Sequence, residues 1–298
     1  MTPAAEAAPA DLPFTAVSDL EAALREKKYV ADRGLATTLY LTLTMQKPLL
    51  LEGEAGVGKT EIAKVLADML GAPLIRLQCY EGLDASSAIY EWDYPRQMLF
   101  LRSLEAAGSL GSDQVRKDLF SEEFLLSRPL LTAIRRSEPT VLLVDEVDKA
   151  DIEIEGLLLE VLSDFAVTIP ELGTIEATRK PFAVLTSNAA RELSEALKRR
   201  CLYLHLDFPT PELERRILAS RVPELDDQLA EQLVRVVGVL RAMALKKVPS
   251  VSETIDWGRT LVALGLDTID DETVLQTLGV VLKHQSDQLR AAAEMRLN

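Results

Sequence analysis

The chain has 298 residues, enough for two domains or one large one. Hydrophobic residues make up 48% and aromatic residues 5%, so the chain can bury a sizeable core, and that core is aliphatic. A net charge of −14 repels phosphate backbones and counts against a primary nucleic-acid binder. Two cysteines far apart in sequence, Cys79 and Cys201, fit a reducing compartment and support neither a disulfide framework nor a zinc site. Two histidines, His205 and His284, are too few for a histidine-based metal centre. No run of about 18 uncharged apolar residues occurs, and the N-terminus lacks the charged-then-apolar layout of a signal peptide. The expected location is cytoplasmic.

Residues 1–18, rich in Ala, Pro and Thr, read as a disordered tail. A helical pattern begins at Asp19 through Leu20, Ala23 and Leu24, and a second helix is expected from Asp32 to Met45. Pro48-Leu49-Leu50-Leu51 reads as a buried parallel strand. Gly53-Glu54-Ala55-Gly56-Val57-Gly58-Lys59-Thr60 follows it and fits G-x-x-x-x-G-K-[ST]. In that pattern glycines let successive N–H groups cradle phosphate oxygens, Lys59 reaches the β- and γ-phosphates, and the Thr60 hydroxyl holds Mg²⁺. The phosphate-binding stretch is taken to run from Gly53 through Glu61. Ile62, Val65, Leu66, Met69 and Leu70 then repeat at helical spacing, and the helix N-terminus adds its positive dipole end.

Pro73–Leu77 is the next expected strand. Between 79 and 138 the pattern is irregular: Ala85–Ile89 helical, a helix-breaking Tyr90–Pro95, a loop tip at Gly108–Ser112, and Leu125–Arg135 helical. Pro139–Val144 is an apolar strand ending in Asp145-Glu146. Behind a phosphate-binding loop, Asp145 suits the Mg²⁺ shell and Glu146 suits polarising an attacking water. Ile154–Phe165 is helical, Val167–Ala177 alternates as a β-hairpin, and Phe182–Asn188 is a buried strand with a polar end. A short helix ends at Arg199-Arg200-Cys201 before a last strand, Leu202–Leu206. Phe208-Pro209-Thr210-Pro211 marks a domain boundary. Beyond it the pattern is helical at 211–221, about 225–247, about 251–264, and about 271–283 with an extension. Thr210 and Asp270 are expected caps, and Ser250 with Glu253 has capping-box spacing.

An α/β phosphate-loop domain (19–208) followed by a small all-α lid (209–298) resembles the AAA+ ATPases, a P-loop NTPase fold with a parallel sheet. The resemblance implies ATP and Mg²⁺ as cofactors and a homo-oligomeric ring, most often a hexamer. It implies that Asn188 is the first sensor that helps place the attacking water. It implies that Arg200, with Arg199 as the alternative, is an arginine finger acting on a neighbouring subunit's ATP. In many such ATPases a segment like Tyr29-Val30-Ala31 packs on the adenine; an ordinary loop is the alternative. The second-sensor arginine of the family falls near Thr254 here and is missing. Arg259 is displaced by about 7.5 Å along the helix axis and does not replace it.

Within that family the chain is similar to the MoxR branch, whose members carry an insert and a hairpin that would correspond to Tyr90–Leu101 and Val167–Ala177. Tyr80–Asp84 together with Tyr90–Pro95 resembles MoxR proteins related to CoxD, which assist maturation of carbon monoxide dehydrogenase and related molybdenum enzymes. That implies a protein-remodelling chaperone with a von Willebrand factor A-domain partner and a metalloenzyme client, with peripheral membrane association left open. Tyr90, Trp92 and Tyr94 suit either a contact surface or packing of the insert. The competing reading is a DNA-associated AAA+ motor of clamp-loader or branch-migration type. The acidic charge and the lack of a C-terminal winged-helix pattern count against it. A non-hydrolysing scaffold is disfavoured by the intact Lys59, Asp145, Glu146, Asn188 and Arg200.

Overall fold

The computed structural model describes residues 12–106 and 113–295. Most of the expected tail and the loop tip at 108–112 therefore lie outside the described residues. In chain order the elements are α1 (Val17–Glu26), α2 (Arg33–Met45), β1 (Leu49–Gly53), α3 (Lys59–Leu70), β2 (Leu74–Gln78), α4 (Ala85–Ala88), β3 (Tyr90–Trp92), α5 (Tyr94–Ala106), α6 (Asp113–Leu119), β4 (Leu125–Ser127), α7 (Pro129–Arg135) and β5 (Val141–Asp145). They continue with α8 (Ile152–Asp164), β6 (Ala166–Ile169), β7 (Gly173–Glu176), β8 (Phe182–Ser187), α9 (Glu195–Arg200), β9 (Leu202–Leu206), α10 (Pro211–Arg221), α11 (Asp227–Ala242), α12 (Val251–Ala263), α13 (Asp271–Val281) and α14 (Gln285–Glu294).

The chain forms two compact units. One holds residues 38–52 and 63–204 with the segment ending at Thr15; the other holds 16–37, 53–62 and the segment from His205 on. The first is built on a sheet of strand order β2-β5-β8-β1-β9. The β2–β5, β5–β8 and β8–β1 pairs are all parallel. Parallel pairs need crossovers, and helices supply them. Every residue of β5 and β8 is buried, which is why both strands are near-continuous aliphatic runs rather than alternating ones. The register sets Leu77 opposite Val144, Gln78 opposite Asp145, and Val144 opposite Leu185. The C-terminal ends of β2, β5 and β8 thus share one edge.

One expectation is corrected in this unit. Leu125–Ser127 is not helical: it is β4, antiparallel to β3, and the helix starts only at Pro129, where a missing N–H is harmless. As expected, no single helix runs through the preceding stretch: β3 separates α4 from α5, and Pro95 sits in the first turn of α5. Trp92 is core. It is 7% exposed and packs edge-on against Tyr90 (6.2 Å between ring centroids) and Phe120 (5.2 Å). Tyr94, two residues on, is 60% exposed. The Val167–Ala177 alternation does form a hairpin: β6 and β7 pair antiparallel, with Thr168 and Thr174 hydroxyls 3.1 Å apart.

The tail expectation also ends early. Helix α1 starts at Val17 because the Asp19 carboxylate accepts the Ala16 N–H (3.0 Å), and Phe14 is already buried. In the C-terminal segment the helices pack around fully buried Trp257, whose indole N–H donates to Thr277 Oγ1 (2.8 Å). Thr210, Ser250 and Asp270 cap as expected, and Ser250 with Glu253 makes the reciprocal box. α11 stops at Ala242 rather than 247, and the N–H groups of Lys246 and Lys247 go to the Asp287 carboxylate (3.1 and 3.3 Å). The fourth helix is two, α13 and α14, broken at Leu282–His284.

The Trp92→Ala variant should lose about 3–5 kcal/mol of unfolding free energy, and Tyr94→Ala less than about 0.5 kcal/mol, measured by urea denaturation. Equal losses would contradict the placement of the two rings.

Candidate functional site

In the unit that contains it, the glycine-rich loop is held by contacts only glycine permits. Gly53, Gly56 and Gly58 have φ of 154°, 83° and 100°. A Cβ on Gly53 would lie 2.1 Å from the Leu206 carbonyl oxygen, and one on Gly56 would lie 2.2 Å from Ser250 Cβ. The Val251 N–H donates to the Gly56 carbonyl (3.2 Å), so the first residue of α12 is bonded to the loop itself. Lys59 is buried, and its ammonium folds back on the carbonyls of Gly53 (2.6 Å) and Glu54 (2.7 Å). Glu54, Ala55 and Gly56 form the exposed crest; Val57, Gly58 and Thr60 are half-buried, and α3 begins at Lys59. Glu61 accepts from Arg221 of α10 (2.9 Å). Tyr29 lies beside the loop, its hydroxyl 4.0 Å from where a Gly58 Cβ would stand. Burial, then the charges of Glu61 and Asp32, push its phenol above the ordinary range.

In the other unit, the shared sheet edge gathers a polar cluster. Asp145 is 2% exposed. Its Oδ1 accepts from Thr186 Oγ1 (2.5 Å) and its Oδ2 pairs with Arg76 (2.5 Å). Arg76 sits two residues before Gln78 on the edge strand, so both side chains leave the same face, and the two are themselves bonded. Glu146 adopts the left-handed conformation, φ 56° and ψ 49°, an uncommon state for a residue with a long side chain and a frequent one at functional sites. Its N–H donates to Thr186 Oγ1 (2.9 Å). Its carboxylate accepts from Asn188 Nδ2 (3.2 Å), Gln78 Nε2 (2.9 Å) and Lys149 Nζ (2.7 Å). The hydrogen bond and charge of Glu146 raise the Lys149 pKa. Cys79 lies beside this cluster, and burial and the neighbouring Asp145 push its thiol up to about 12, so it is no nucleophile.

Asp145, Glu146 and Asn188 are thus brought together, as the sequence suggests. Gln78, Thr186, Arg76 and Lys149 were not singled out there. The polar end of β8 is the one sequence signal that pointed at Thr186. Arg200 lies elsewhere. It ends α9, two residues before Leu202, whose N–H donates to Pro48 just ahead of β1. That is the opposite end of the sheet, about 15 Å along the strands from Asn188. Arg200 Nε donates to Ser163 Oγ and Nη1 to the Ala196 carbonyl (3.1 Å); Arg199 is exposed. The start of α9 is fixed by buried Glu155, which accepts from the Ser194 N–H (2.7 Å) and from Arg191 (2.8 Å). Burial alone would raise the Glu155 pKa, but these hydrogen bonds outweigh it and hold the pKa below the usual value.

The donors suit the cofactors implied. The Asp145 carboxylate in one unit and the Thr60 hydroxyl in the other are each hard oxygen donors of the kind that Mg²⁺ takes. Asp145 already tolerates a cation, the Arg76 guanidinium. Among the described residues no three His, Cys, Asp or Glu side chains converge as a separate metal centre, and no helix is long and apolar enough to cross a membrane. Thr254, at the missing sensor position, is fully buried within α12, bonded to the Ser250 carbonyl (3.1 Å) and to Arg241 (3.3 Å). Arg259 is exposed beside Asp256.

A glycine-rich loop between a strand and a helix, with an acidic pair ending another strand of a parallel sheet, defines a P-loop nucleoside triphosphatase. The chain belongs to the AAA domain family (dynein-related subfamily), whose model matches residues 48–201, more than half of its length. It has the AAA+ fold, hydrolyses ATP and uses ATP with Mg²⁺. An uncharacterized protein of Staphylococcus aureus (strain bovine RF122 / ET3-1) is 24% identical over 259 residues, covering 85% of this chain and 88% of its own. One of Staphylococcus haemolyticus is 22% identical over 260 residues, covering 83% and 90%. Two variants of Thermotoga maritima RuvB are similar in fold, at 18% identity and TM-scores of 0.51 and 0.50. They cover 86% and 84% of this chain and 71% and 70% of theirs.

Gly56→Ala should lower both the melting temperature and ATP affinity, because its Cβ would collide with Ser250. Adding Ser250→Gly should restore only part of each, since the positive φ stays strained. The Glu155 contribution is fully present above the ordinary glutamate pKa and is lost as pH falls through its lower folded value. The melting-temperature gap between wild type and Glu155→Gln should therefore be widest near neutral pH and shrink in acid.

Proposed function

We propose that this ATPase is a MoxR-type remodelling chaperone. In this reading residues 19–208 form the nucleotide-binding domain and 209–298 the lid. Gly53–Glu61 holds the phosphates, Thr60 and Asp145 hold Mg²⁺, Glu146 polarises the attacking water, and Asn188 positions it. The subunits form a ring, a hexamer, in which Arg200 serves the ATP of the neighbouring copy. The observation that carries this reading is the separation within one sheet. Glu146 and Asn188 stand at one end and Arg200 at the other, too far apart to act on one phosphate.

The client side rests on the resemblance of residues 80–101 to CoxD-like proteins. It points to maturation of the metal centre of a molybdenum-containing hydroxylase such as carbon monoxide dehydrogenase, with a von Willebrand factor A-domain partner. The β6–β7 hairpin and the β3–β4 insert are the elements through which nucleotide state would reach a client. With Trp92 in the core, exposed Tyr94 is the aromatic left for that contact. The likeness to RuvB is one of fold, and the charge of −14 speaks against a nucleic-acid track.

Lys59→Ala should abolish ATP binding. Glu146→Gln should retain ATP while slowing turnover by about 10²-fold or more, and its trapped complex should capture the client in a pull-down. Arg200→Ala should lose about 10³-fold in turnover, and mixing it with Lys59→Ala subunits should restore activity at sites that pair an intact loop with an intact arginine. Full activity in a monomer by light scattering would overturn the ring.

A further inference from the structure

The end of the sheet that carries Arg200 also carries a shallow cavity of about 440 Å³, and four cations, Lys47, Lys180, Arg199 and Arg200, line it beside Ser163 and Phe165. No carboxylate lines it among the described residues. In a chain of net charge −14 this is a local reversal of sign. Lys47, Lys180 and Arg199 make no ion pair among the described residues, whereas Arg96, Arg128, Arg235 and Arg241 each pair with a glutamate. Like charges gathered without counter-charge repel one another, so the cluster is electrostatically incomplete until an anion arrives. The cavity walls are also shaped for it. The backbone turns left-handed at Gln46 and Phe165 (φ 50° and 49°), and the Lys180 ammonium rests over the Phe165 ring, 5.7 Å from its centroid. Arg200 is pinned on one edge, Nε to Ser163 and Nη1 to Ala196, while its Nη2 makes no hydrogen bond among the described residues.

We propose that Lys47 and Lys180 share one anion pocket with Arg200, and that this pocket receives the terminal phosphates of ATP held by a second copy of the chain. The proposal rests on the ring reading above and extends it from one arginine to a cationic pocket. A triphosphate brings several negative charges at once. One guanidinium with two of its three nitrogens already engaged matches them poorly; a guanidinium with two flexible ammonium groups matches them well, because lysine supplies point charge and arginine supplies direction. Ser163 is then a positioning residue, holding the guanidinium plane without touching the nucleotide.

Three mixtures test this. Arg200→Ala subunits, whose loop is intact, are combined with Lys59→Ala subunits, whose pocket is intact. They are combined in parallel with Lys59→Ala subunits that also carry Lys47→Ala and Lys180→Ala, and with Lys59→Ala subunits that carry Lys47→Arg and Lys180→Arg. The expected result is restored turnover in the first mixture, at least about 10-fold less in the second, and recovery of most of it in the third. The deficit of the second should narrow as salt is raised, because screening weakens the lysine–phosphate attraction that only the first mixture retains. Equal restoration in the first two mixtures overturns the lysine pocket and leaves the ring reading standing. No restoration in any mixture overturns the ring reading itself. Cations that merely offset the carbonyl ends of α8 and α9 predict a different pattern: a lower melting temperature for the Ala-bearing subunits with undiminished restoration, which also overturns the proposal. If the Ala-bearing subunits do not fold, the single variants Lys47→Ala and Lys180→Ala are mixed instead, with the same readings.

Discussion

A carboxylate at the end of a fully buried strand is the constraint around which the first unit is arranged. Every residue of β5 is buried, and Asp145 with it. An ionised carboxylate removed from water and left unpaired would cost several kcal/mol. The parallel register answers this by placing β8 alongside, so that Thr186 reaches one oxygen, and β2 on the other side, so that Arg76 reaches the other. The Thr186 hydroxyl does two things at once. It donates to Asp145 and accepts the N–H of Glu146, and so ties the buried acid to the left-handed turn that presents the second one. Glu146 is then gripped by donors from three directions, Gln78, Lys149 and Asn188.

The same sheet acts as a spacer. Its strands are short, yet long enough that the acidic end and the arginine end cannot meet in one copy. Burial of β5 and β8 on both faces keeps that spacing rigid, because close-packed interiors do not flex by ångströms. The arginine end is secured independently. Glu155 anchors the entry to α9, and Ser163 orients the guanidinium at its exit.

How legible all this was depended on how local each determinant is. The loop Gly53–Thr60, Asp145 and Glu146, and the hairpin at 167–177 were readable because their pattern is carried by adjacent residues. Helix caps at Thr210, Ser250 and Asp270 were readable for the same reason. Leu125–Ser127 was misread because its partner, β3, lies some 35 residues earlier and nothing local distinguishes a three-residue strand from a helical turn. Trp92 was ambiguous because an aromatic suits a contact surface and a core equally until its neighbours are known. Arg76, Gln78 and Lys149 carried no motif. Their part in the acidic cluster comes from strand register and a turn, which composition does not encode. The break between α13 and α14 was missed because Leu282–His284 contains neither glycine nor proline.

The fold-back of Lys59 has a thermodynamic corollary. Its ammonium is satisfied by two main-chain carbonyls of its own loop, so a phosphate that takes it must first dissolve those bonds. Part of the intrinsic attraction is therefore spent on an exchange of partners, and observed nucleotide affinity reports a difference between two hydrogen-bonded arrangements. The reverse exchange accompanies release. As the phosphates depart, the carbonyls recapture the ammonium, no bare buried cation is exposed, and the loop keeps its form through each turnover.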